Sequence, residues 1–285
     1  MDEAVLKAEV RGQKAEVRSK MIAVKTSAFC LLLSAFLAQS TIEIRRDGKV
    51  VATDQPQLKD AVRVLFIGNS LTFWNEMPSL TRRIAGSLGA RPLVTQFSGM
   101  SGATLRQHWE KGAAVRLIRE LKWDFVVLQA QSTEMLYRPE ETKKYATLFD
   151  REIDRTGAKT VIFETWKPAD ARGTQSELNA RSISLARELD ALVAPVGSAW
   201  DALRRQGMNL FDPGGVHPNL RGSYLSACVF YSTFYAASPA GATHVFETKF
   251  DVPESYRRDL EEEKISDEDG EEIQRAAWAA VQGFR

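Results

Sequence analysis

From residue 61 onward, short apolar runs alternate with longer stretches that have helical spacing. The runs with the length and composition of buried strands are 62–67, 92–97, 125–128, 160–163 and 192–196. The stretches with helical spacing between them are 77–88, 104–121, 139–155 and 175–189. Alternation of strands and helices produces a parallel sheet with helices on both faces. The sequence therefore predicts a three-layer α/β/α sandwich around a five-stranded parallel sheet.

Three further elements flank this alternating region. Residues 41–53 alternate around Asp47-Gly48, which is typical of a β-hairpin. Two more helices are predicted, at 219–236 with Pro218 in its first turn and at 267–282 with Ser266 and Asp269 as its cap. We therefore expect an extension at 1–40, an accessory hairpin and linker at 41–60, and one catalytic domain at 61–285.

The N-terminal extension has the pattern of an export signal. A short apolar core at 28–38 follows Lys25 and precedes small and polar residues at 38–40. We expect cleavage near Thr41 and a secreted or periplasmic protein with no stable membrane insertion after cleavage. An uncleaved anchor is the alternative, although the apolar run is shorter than the ~20 residues that a membrane span requires. Met21 is an alternative translation start.

Charge and cysteine content exclude several classes of function. The 285 residues include 38 Lys and Arg against 37 Asp and Glu, so the chain lacks the basic character of nucleic-acid-binding proteins. The three histidines and two cysteines lie far apart in the sequence, and we predict no metal site. Neither a Gly-x-Gly-x-x-Gly run nor a Gly-Lys-Ser/Thr motif is present, so a nucleotide cofactor is not expected.

A serine and a histidine are the candidate reactive residues. The strand predicted at 62–67 is followed by Gly68-Asn69-Ser70, which places a hydroxyl at the carboxyl edge of the sheet, where open α/β folds bind ligands. Ser70 is therefore the candidate nucleophile, and His217, far later in the chain, is its candidate base. The alternatives are that Ser70 only forms a turn and that His217 only begins a helix.

A serine hydrolase also needs hydrogen-bond donors for the anionic tetrahedral intermediate. Two other predicted strand ends supply them, through the backbone near Gly102 and through the side-chain amides of Gln129 and Gln131. Ser101 is a weaker candidate nucleophile, because Ala103 replaces the second glycine of a Gly-x-Ser-x-Gly elbow.

Five other residues have more than one interpretation. Trp74, Trp109 and Trp166 fit either a sugar or acyl pocket or the core. His108 fits a position on the surface or in packing, and Cys228 fits a buried helix position better than a reactive thiol.

These residues resemble the four sequence blocks of the SGNH, or GDSL-like, esterases and lipases. Gly68-Asn69-Ser70-Leu71 is similar to the first block, with Asn69 in place of the usual Asp. The segment 101–104 is similar to the second block, and His217-Pro218-Asn219 to the last. The resemblance spans roughly residues 62–236. It implies the flavodoxin-like SGNH fold, with Ser70 as nucleophile, His217 as base, and the Ser70 and Gly102 N–H groups in the oxyanion hole.

The chain departs from the family pattern at two positions. The third block resembles the glutamine-containing variant found in SGNH carbohydrate acetylesterases, which implies Gln129 as the third oxyanion donor, with Gln131 as the alternate. The family places an acid three residues before the histidine, where this chain has Gly214. Asp212, five residues before His217, is the candidate replacement. A main-chain carbonyl as orienting group, a Ser-His dyad, or a simple turn at 212–215 are the alternatives.

These observations favour a secreted serine esterase that needs no cofactor and acts on a small-molecule or glycan ester, with carbohydrate O-acetyl groups as the specific expectation. A non-catalytic glycan-binding module on the same fold and an O-acyltransferase are the alternatives.

Overall fold

The computed structural model describes residues 43–46, 49–53, 60–246 and 264–284. The chain divides into two units, residues 1–57 and 58–285. In the first unit, β1 (Glu43–Arg46) pairs antiparallel with β2 (Lys49–Thr53), as the hairpin pattern predicted. The predicted export signal at 21–40 lies outside the described residues.

The second unit is built on a five-stranded sheet. Its strands are β3 (Val62–Gly68), β4 (Leu93–Gly99), β5 (Phe125–Leu128), β6 (Lys159–Phe163) and β7 (Leu192–Ala194). They are all parallel and lie in the order β4-β3-β5-β6-β7. The predicted α/β sandwich with a five-stranded parallel sheet is therefore confirmed.

Helices connect the strands. They are α1 (Ser70–Phe73), α2 (Met77–Ser87), α3 (Leu105–Lys111), α4 (Ala113–Glu120), α5 (Glu134–Tyr137), α6 (Pro139–Asp154), α7 (Gln175–Glu188), α8 (Val196–Arg205), α9 (Leu220–Tyr235) and α10 (Asp267–Gln282). A 3₁₀ turn at Trp74–Glu76 joins α1 to α2. The Ser266 side chain caps α10 by accepting from the Asp269 N–H, as predicted. None of the described helices is both long and apolar enough to cross a membrane.

The structure corrects one predicted helix and one predicted strand, and it adds the short helices α1 and α5 and the longer helix α8. The helix predicted at 104–121 is two helices, because Gly112 adopts φ 72° and ends the first one. The strand predicted at 192–196 ends at Ala194, and α8, which the sequence analysis missed, begins after Pro195. Proline donates no ladder hydrogen bond and suits a helix start. The available signal was the helical spacing of four apolar residues, Val196, Ala199, Trp200 and Leu203.

Alternate residues of β3 face two different helical layers. Val64 and Phe66 pack in a core formed with α2, α8, α9 and α10, whereas Leu65 and Ile67 pack in a core formed with α3 to α7. Burial of both faces explains why β3 is almost continuously apolar. Because all five strands run in the same direction, the segments that carry Ser70, Gly102 and Gln129 follow strands whose carboxyl ends meet at one edge of the sheet. The loop that carries Asp212 and His217 follows α8.

Candidate active site

Ser70 lies on a turn that buried hydrogen bonds fix. β3 ends at Gly68, and Asn69 caps α1 by accepting from the Leu71 N–H at 3.1 Å. The Asn69 amide also donates to the Ala103 carbonyl at 3.0 Å, which joins this turn to the loop after β4. A Cβ on Gly68 would lie 2.5 Å from Oε1 of Gln129, so this position requires glycine. The turn leaves Ser70 8% exposed, at the first position of α1.

His217 meets Ser70 across the carboxyl edge of the sheet. Nε2 of His217 lies 2.9 Å from Oγ of Ser70. The histidine belongs to a loop that a bridge between Phe211 and Pro218 closes. Pro218 therefore lies in this loop and not in the first turn of α9, which begins at Leu220 with Asn219 as its cap. The structure brings together the nucleophile and base that the sequence analysis named.

Asp212 lies on the same loop, on the other side of the imidazole. Its Oδ2 is 3.9 Å from Nδ1 of His217, beyond hydrogen-bond distance. Its Oδ1 accepts from the Gly214 N–H at 3.1 Å, and its carbonyl accepts from the Gly215 N–H at 3.0 Å. Asp212 thus forms the turn at 212–215 that the sequence analysis gave as an alternative to a catalytic acid, and its carboxylate also faces His217.

Burial and charge act in opposite directions on His217. Burial lowers the pKa of the imidazole, and the nearby Asp212 carboxylate raises it by a smaller amount, so the pKa lies below its usual value. The side chains of His217 and Asp212 are 27% and 22% exposed, so water partly screens their interaction. A neutral His217 at neutral pH is the form that a general base requires.

An indole ring covers one face of the histidine. The rings of Trp74 and His217 stack with their centroids 3.9 Å apart and their planes 6° apart. The next residue, Asn75, donates from its amide to the Pro218 carbonyl at 3.2 Å and to the Ser223 hydroxyl at 3.0 Å. The sequence analysis considered Trp74 only as a pocket or core residue; its position four residues after Ser70 was the available signal.

Solved structures share this fold. No protein-family model and no curated protein matches the sequence. A protein from Slackia heliotrinireducens that is assigned to the SGNH hydrolases is 28% identical, with a TM-score of 0.51 over 61% of this chain and 99% of that one. This similarity supports the assignment of the chain to the SGNH/GDSL-like hydrolase superfamily. The resemblance inferred from the sequence blocks is therefore confirmed at this level.

Two further structures show the same fold at lower identity. A DUF4886 family protein from Bacteroides uniformis is 17% identical, with a TM-score of 0.61 over 78% of this chain and 95% of that one. The acetyl xylan esterase AlAXEase is 15% identical, with a TM-score of 0.50 over 60% of this chain and 98% of that one. The predicted class, a hydrolase of ester bonds, agrees with this superfamily.

Gln129, the residue aligned with the third SGNH block, lies directly behind residues 68–70, the nucleophile turn, which carries the candidate nucleophile. Its side chain is fully buried, and its Oε1 accepts from the Asn69 N–H at 2.8 Å and from the Thr72 hydroxyl at 3.0 Å. Its Nε2 donates to the Ala130 carbonyl at 2.5 Å. In this arrangement Gln129 supports the turn that presents Ser70. Its role as an oxyanion donor stays a prediction.

The alternate glutamine has a different environment. Gln131 accepts from the N–H and hydroxyl of Thr133, at 2.9 and 3.0 Å, and donates to the Ser132 hydroxyl at 3.0 Å. Its side chain thus orders the loop between β5 and α5. The donor role of Gln131 also stays a prediction.

Gly102, in the second SGNH block, lies in an exposed turn after β4. β4 pairs with β3 so that Gly99 is opposite Gly68, and the Asn69 amide bonds to Ala103 in the same turn. The block therefore lies beside the nucleophile turn. Ser101, the weaker candidate nucleophile, is exposed in this turn, whereas His217 is bonded to Ser70.

His108 supports the nucleophile turn from α3. It is 3% exposed, and its Nε2 lies 2.8 Å from the Gly68 carbonyl. A carbonyl only accepts, so this nitrogen carries the proton. Burial lowers the pKa of His108, which keeps the ring neutral. Of the two positions expected for His108, surface or packing, the structure shows packing.

The loop after β6 braces the histidine loop. The buried Trp166 donates from its indole N–H to the Val216 carbonyl at 2.9 Å, and the Ala169 N–H donates to the Gly215 carbonyl at 2.8 Å. Trp166 also stacks on Trp200, with centroids 4.2 Å apart. Trp166 thus belongs to the core.

The other two tryptophans singled out from the sequence lie in different surroundings. Trp109 packs edge-on against Phe149, on the side of the sheet that α3 and α6 cover. Of the three, Trp74 is the one that stacks on His217.

Proposed function

We propose that the protein is a serine esterase that works through an acyl-enzyme. The 2.9 Å contact between Nε2 of His217 and Oγ of Ser70 carries this proposal. As Oγ attacks the ester carbonyl, Nε2 takes its proton and then passes it to the leaving alcohol as the tetrahedral intermediate collapses. A water molecule, deprotonated by the same nitrogen, then attacks the acyl-Ser70 ester, which releases the acid and restores the hydroxyl.

Three N–H donors are proposed for the oxyanion. The Ser70 N–H is the first amide of α1 and has no acceptor within that helix. The Gly102 N–H lies in the turn that the Asn69 amide joins to the nucleophile turn. The Gln129 amide is the third; one of its two N–H groups donates to the Ala130 carbonyl, and the other is proposed for the oxyanion. Each such donor is typically worth on the order of 10² to 10³ in rate.

We propose carbohydrate O-acetyl groups as the substrate and a secreted or periplasmic location. The acetyl xylan esterase among the structures of the same fold supports this substrate class, as does the glutamine in the third block. The apolar segment at 28–38 supports export. Asp212 is proposed as the acid of the site; at 3.9 Å it acts on His217 through its charge and not through a hydrogen bond.

The first test is intact mass of the purified full chain after exposure to a fluorophosphonate, beside the Ser70→Ala variant. One adduct that requires Ser70 is expected. The adduct-forming protein is then assayed on acetylated xylo-oligosaccharides and on p-nitrophenyl acetate and butyrate, where we expect acetyl to be preferred. An added sugar acceptor distinguishes hydrolysis from acyl transfer.

Absence of an adduct, under conditions that label a control esterase, would contradict the esterase proposal. The glycan-binding alternative would then be tested by titrating the same acetylated oligosaccharides into the protein by calorimetry. Labelling at Ser101 in place of Ser70 would contradict the assignment of the nucleophile.

A further inference from the structure

Among the described residues, none forms the usual orienting hydrogen bond with the imidazole of His217. Its Nδ1 lies 3.9 Å from the Asp212 carboxylate, too far for a hydrogen bond. The family position for the acid is occupied by Gly214. Something else must therefore fix the plane of the ring, because a base that rotates freely is in line with Ser70 for only a fraction of the time.

Three contacts join the 3₁₀ turn after α1 to the histidine loop and the start of α9. The Trp74 ring lies parallel to the His217 ring, the Asn75 amide donates to the Pro218 carbonyl, and the Ser223 hydroxyl donates to the Trp74 carbonyl at 3.4 Å. Asn75 has φ 50°, in the left-handed region that asparagine tolerates better than most residues. This conformation lets its amide reach Pro218 while the indole of Trp74 covers the imidazole.

We propose that Trp74 is a positioning residue that performs, through stacking, the two tasks of a close carboxylate: it fixes the imidazole plane and stabilises the imidazolium formed during attack by Ser70. The inference deepens the proposed esterase mechanism and rests on it.

The physical basis is the negative face of the indole ring. A cation over this face is attracted to the ring quadrupole, and tryptophan is the most effective of the aromatic side chains. During attack His217 gains a proton and becomes such a cation, only 3.9 Å from the indole centroid. A neutral imidazole is attracted to the indole less strongly than an imidazolium. The contact is therefore stronger in the transition state than in the resting enzyme, which is the condition for a catalytic effect.

The Asp212 carboxylate is the charged group that affects the pKa of His217, and it raises that pKa. The Ser70 hydroxyl is the polar group that contacts the other ring nitrogen, Nε2. Burial of the imidazole acts against its protonation. Replacing Trp74 by a small residue would change both burial and the ring quadrupole. The test must therefore change the electron density of the ring at constant shape.

We would place phenylalanine at residue 74 (Trp74→Phe) and then its analogues with one, two and three ring fluorines, in the full chain. Fluorine withdraws electron density from the ring face with little change in shape. The pKa of His217 is read from its NMR resonances without substrate, and kcat/KM is read on p-nitrophenyl acetate. Trp74→Leu removes the aromatic face, and Trp278→Phe on α10 is the matched control.

The expected result is a stepwise fall in the pKa of His217 by about half a unit across the fluorine series, with a parallel fall in kcat/KM. Trp74→Leu should lose about tenfold in kcat/KM, Trp74→Phe should retain most of the activity, and Trp278→Phe should match the unchanged protein. If Trp74→Phe does not fold, fluorotryptophans in the otherwise unchanged chain replace the series.

A pKa and a kcat/KM that do not change with fluorine content would overturn the inference. Because the NMR titration needs no substrate, it also separates this inference from the esterase proposal. A fluorine-dependent pKa in a protein whose Ser70 is not labelled by the fluorophosphonate would support the stacking interaction and contradict the esterase.

Discussion

Ser70 and His217 are held in place in different ways. Around Ser70, buried hydrogen bonds from Asn69, Gln129 and His108 satisfy the turn from several sides. Around His217, the acid is 3.9 Å away and partly exposed, and the closest packing comes from an indole ring. The proposed nucleophile is thus fixed by hydrogen bonds in the protein interior, whereas the proposed base is positioned by packing near solvent. Mutations around Ser70 and around His217 should therefore differ in their effects on stability and on activity.

The largest effect is expected from removing the nucleophile. Ser70→Ala should lower kcat/KM by at least about 10⁴-fold, because no acyl-enzyme can form, with little change in melting temperature. Ser101→Ala, an equivalent change in the exposed turn nearby, is the control and should keep its activity. Turnover retained by Ser70→Ala would show that Ser70 is not the nucleophile.

Gln129→Ala should damage both stability and activity. It leaves the Asn69 N–H and the Thr72 hydroxyl without their buried acceptor, which should lower the free energy of unfolding by at least about 2 kcal/mol. If its amide also serves the oxyanion, kcat falls by about 10² to 10³. Gln131→Ala removes the neighbouring glutamine side chain and is the matched variant for Gln129→Ala. Urea unfolding and kcat on p-nitrophenyl acetate measure both quantities, and a stable, fully active Gln129→Ala would contradict both roles.

Asp212→Asn should have a much smaller effect on activity than the loss of a triad acid usually has. Because Oδ2 is 3.9 Å from Nδ1, kcat should fall about tenfold or less, compared with about 10⁴ for a directly bonded aspartate. Asp201→Asn, which breaks a surface pair with Arg205 on α8, is the control. A loss above about 10³ would mean that the carboxylate closes onto the imidazole during the reaction.

The pH dependence should show the smallest change. His217 acts as a base only when neutral, and burial lowers its pKa, so kcat/KM should rise with pH and reach half its plateau below the usual pKa of histidine, about 6.5. Asp212→Asn removes the charge that raises this pKa, so the acid limb should move to lower pH. A shift to higher pH in that variant would contradict the assignment of the limb to His217.

The same contrast explains what the sequence could predict. Ser70 was identifiable because a buried strand ending in Gly-Asn-Ser fixes its place locally, and the five strands followed from apolar runs. His217 was named from its loop sequence and then by family resemblance, and Asp212 as the nearest acid on that loop, but their 3.9 Å separation depends on how the glycine-containing loop folds. The contacts of Trp74 and His108 join residues distant in sequence, and no local pattern specifies them. Helix α8 was missed although its apolar spacing was present.

The contact between Ser70 and His217 joins residues 147 positions apart in the chain. The strand that precedes the serine is among the first to be made, whereas the histidine follows the last strand of the sheet. A nascent chain that has not yet reached residue 217 therefore carries an ordinary alcohol at residue 70. In the proposed mechanism Ser70 becomes reactive only once residue 217 has been synthesised and the two loops have come together, so a chain that ends before residue 217 has no activated serine.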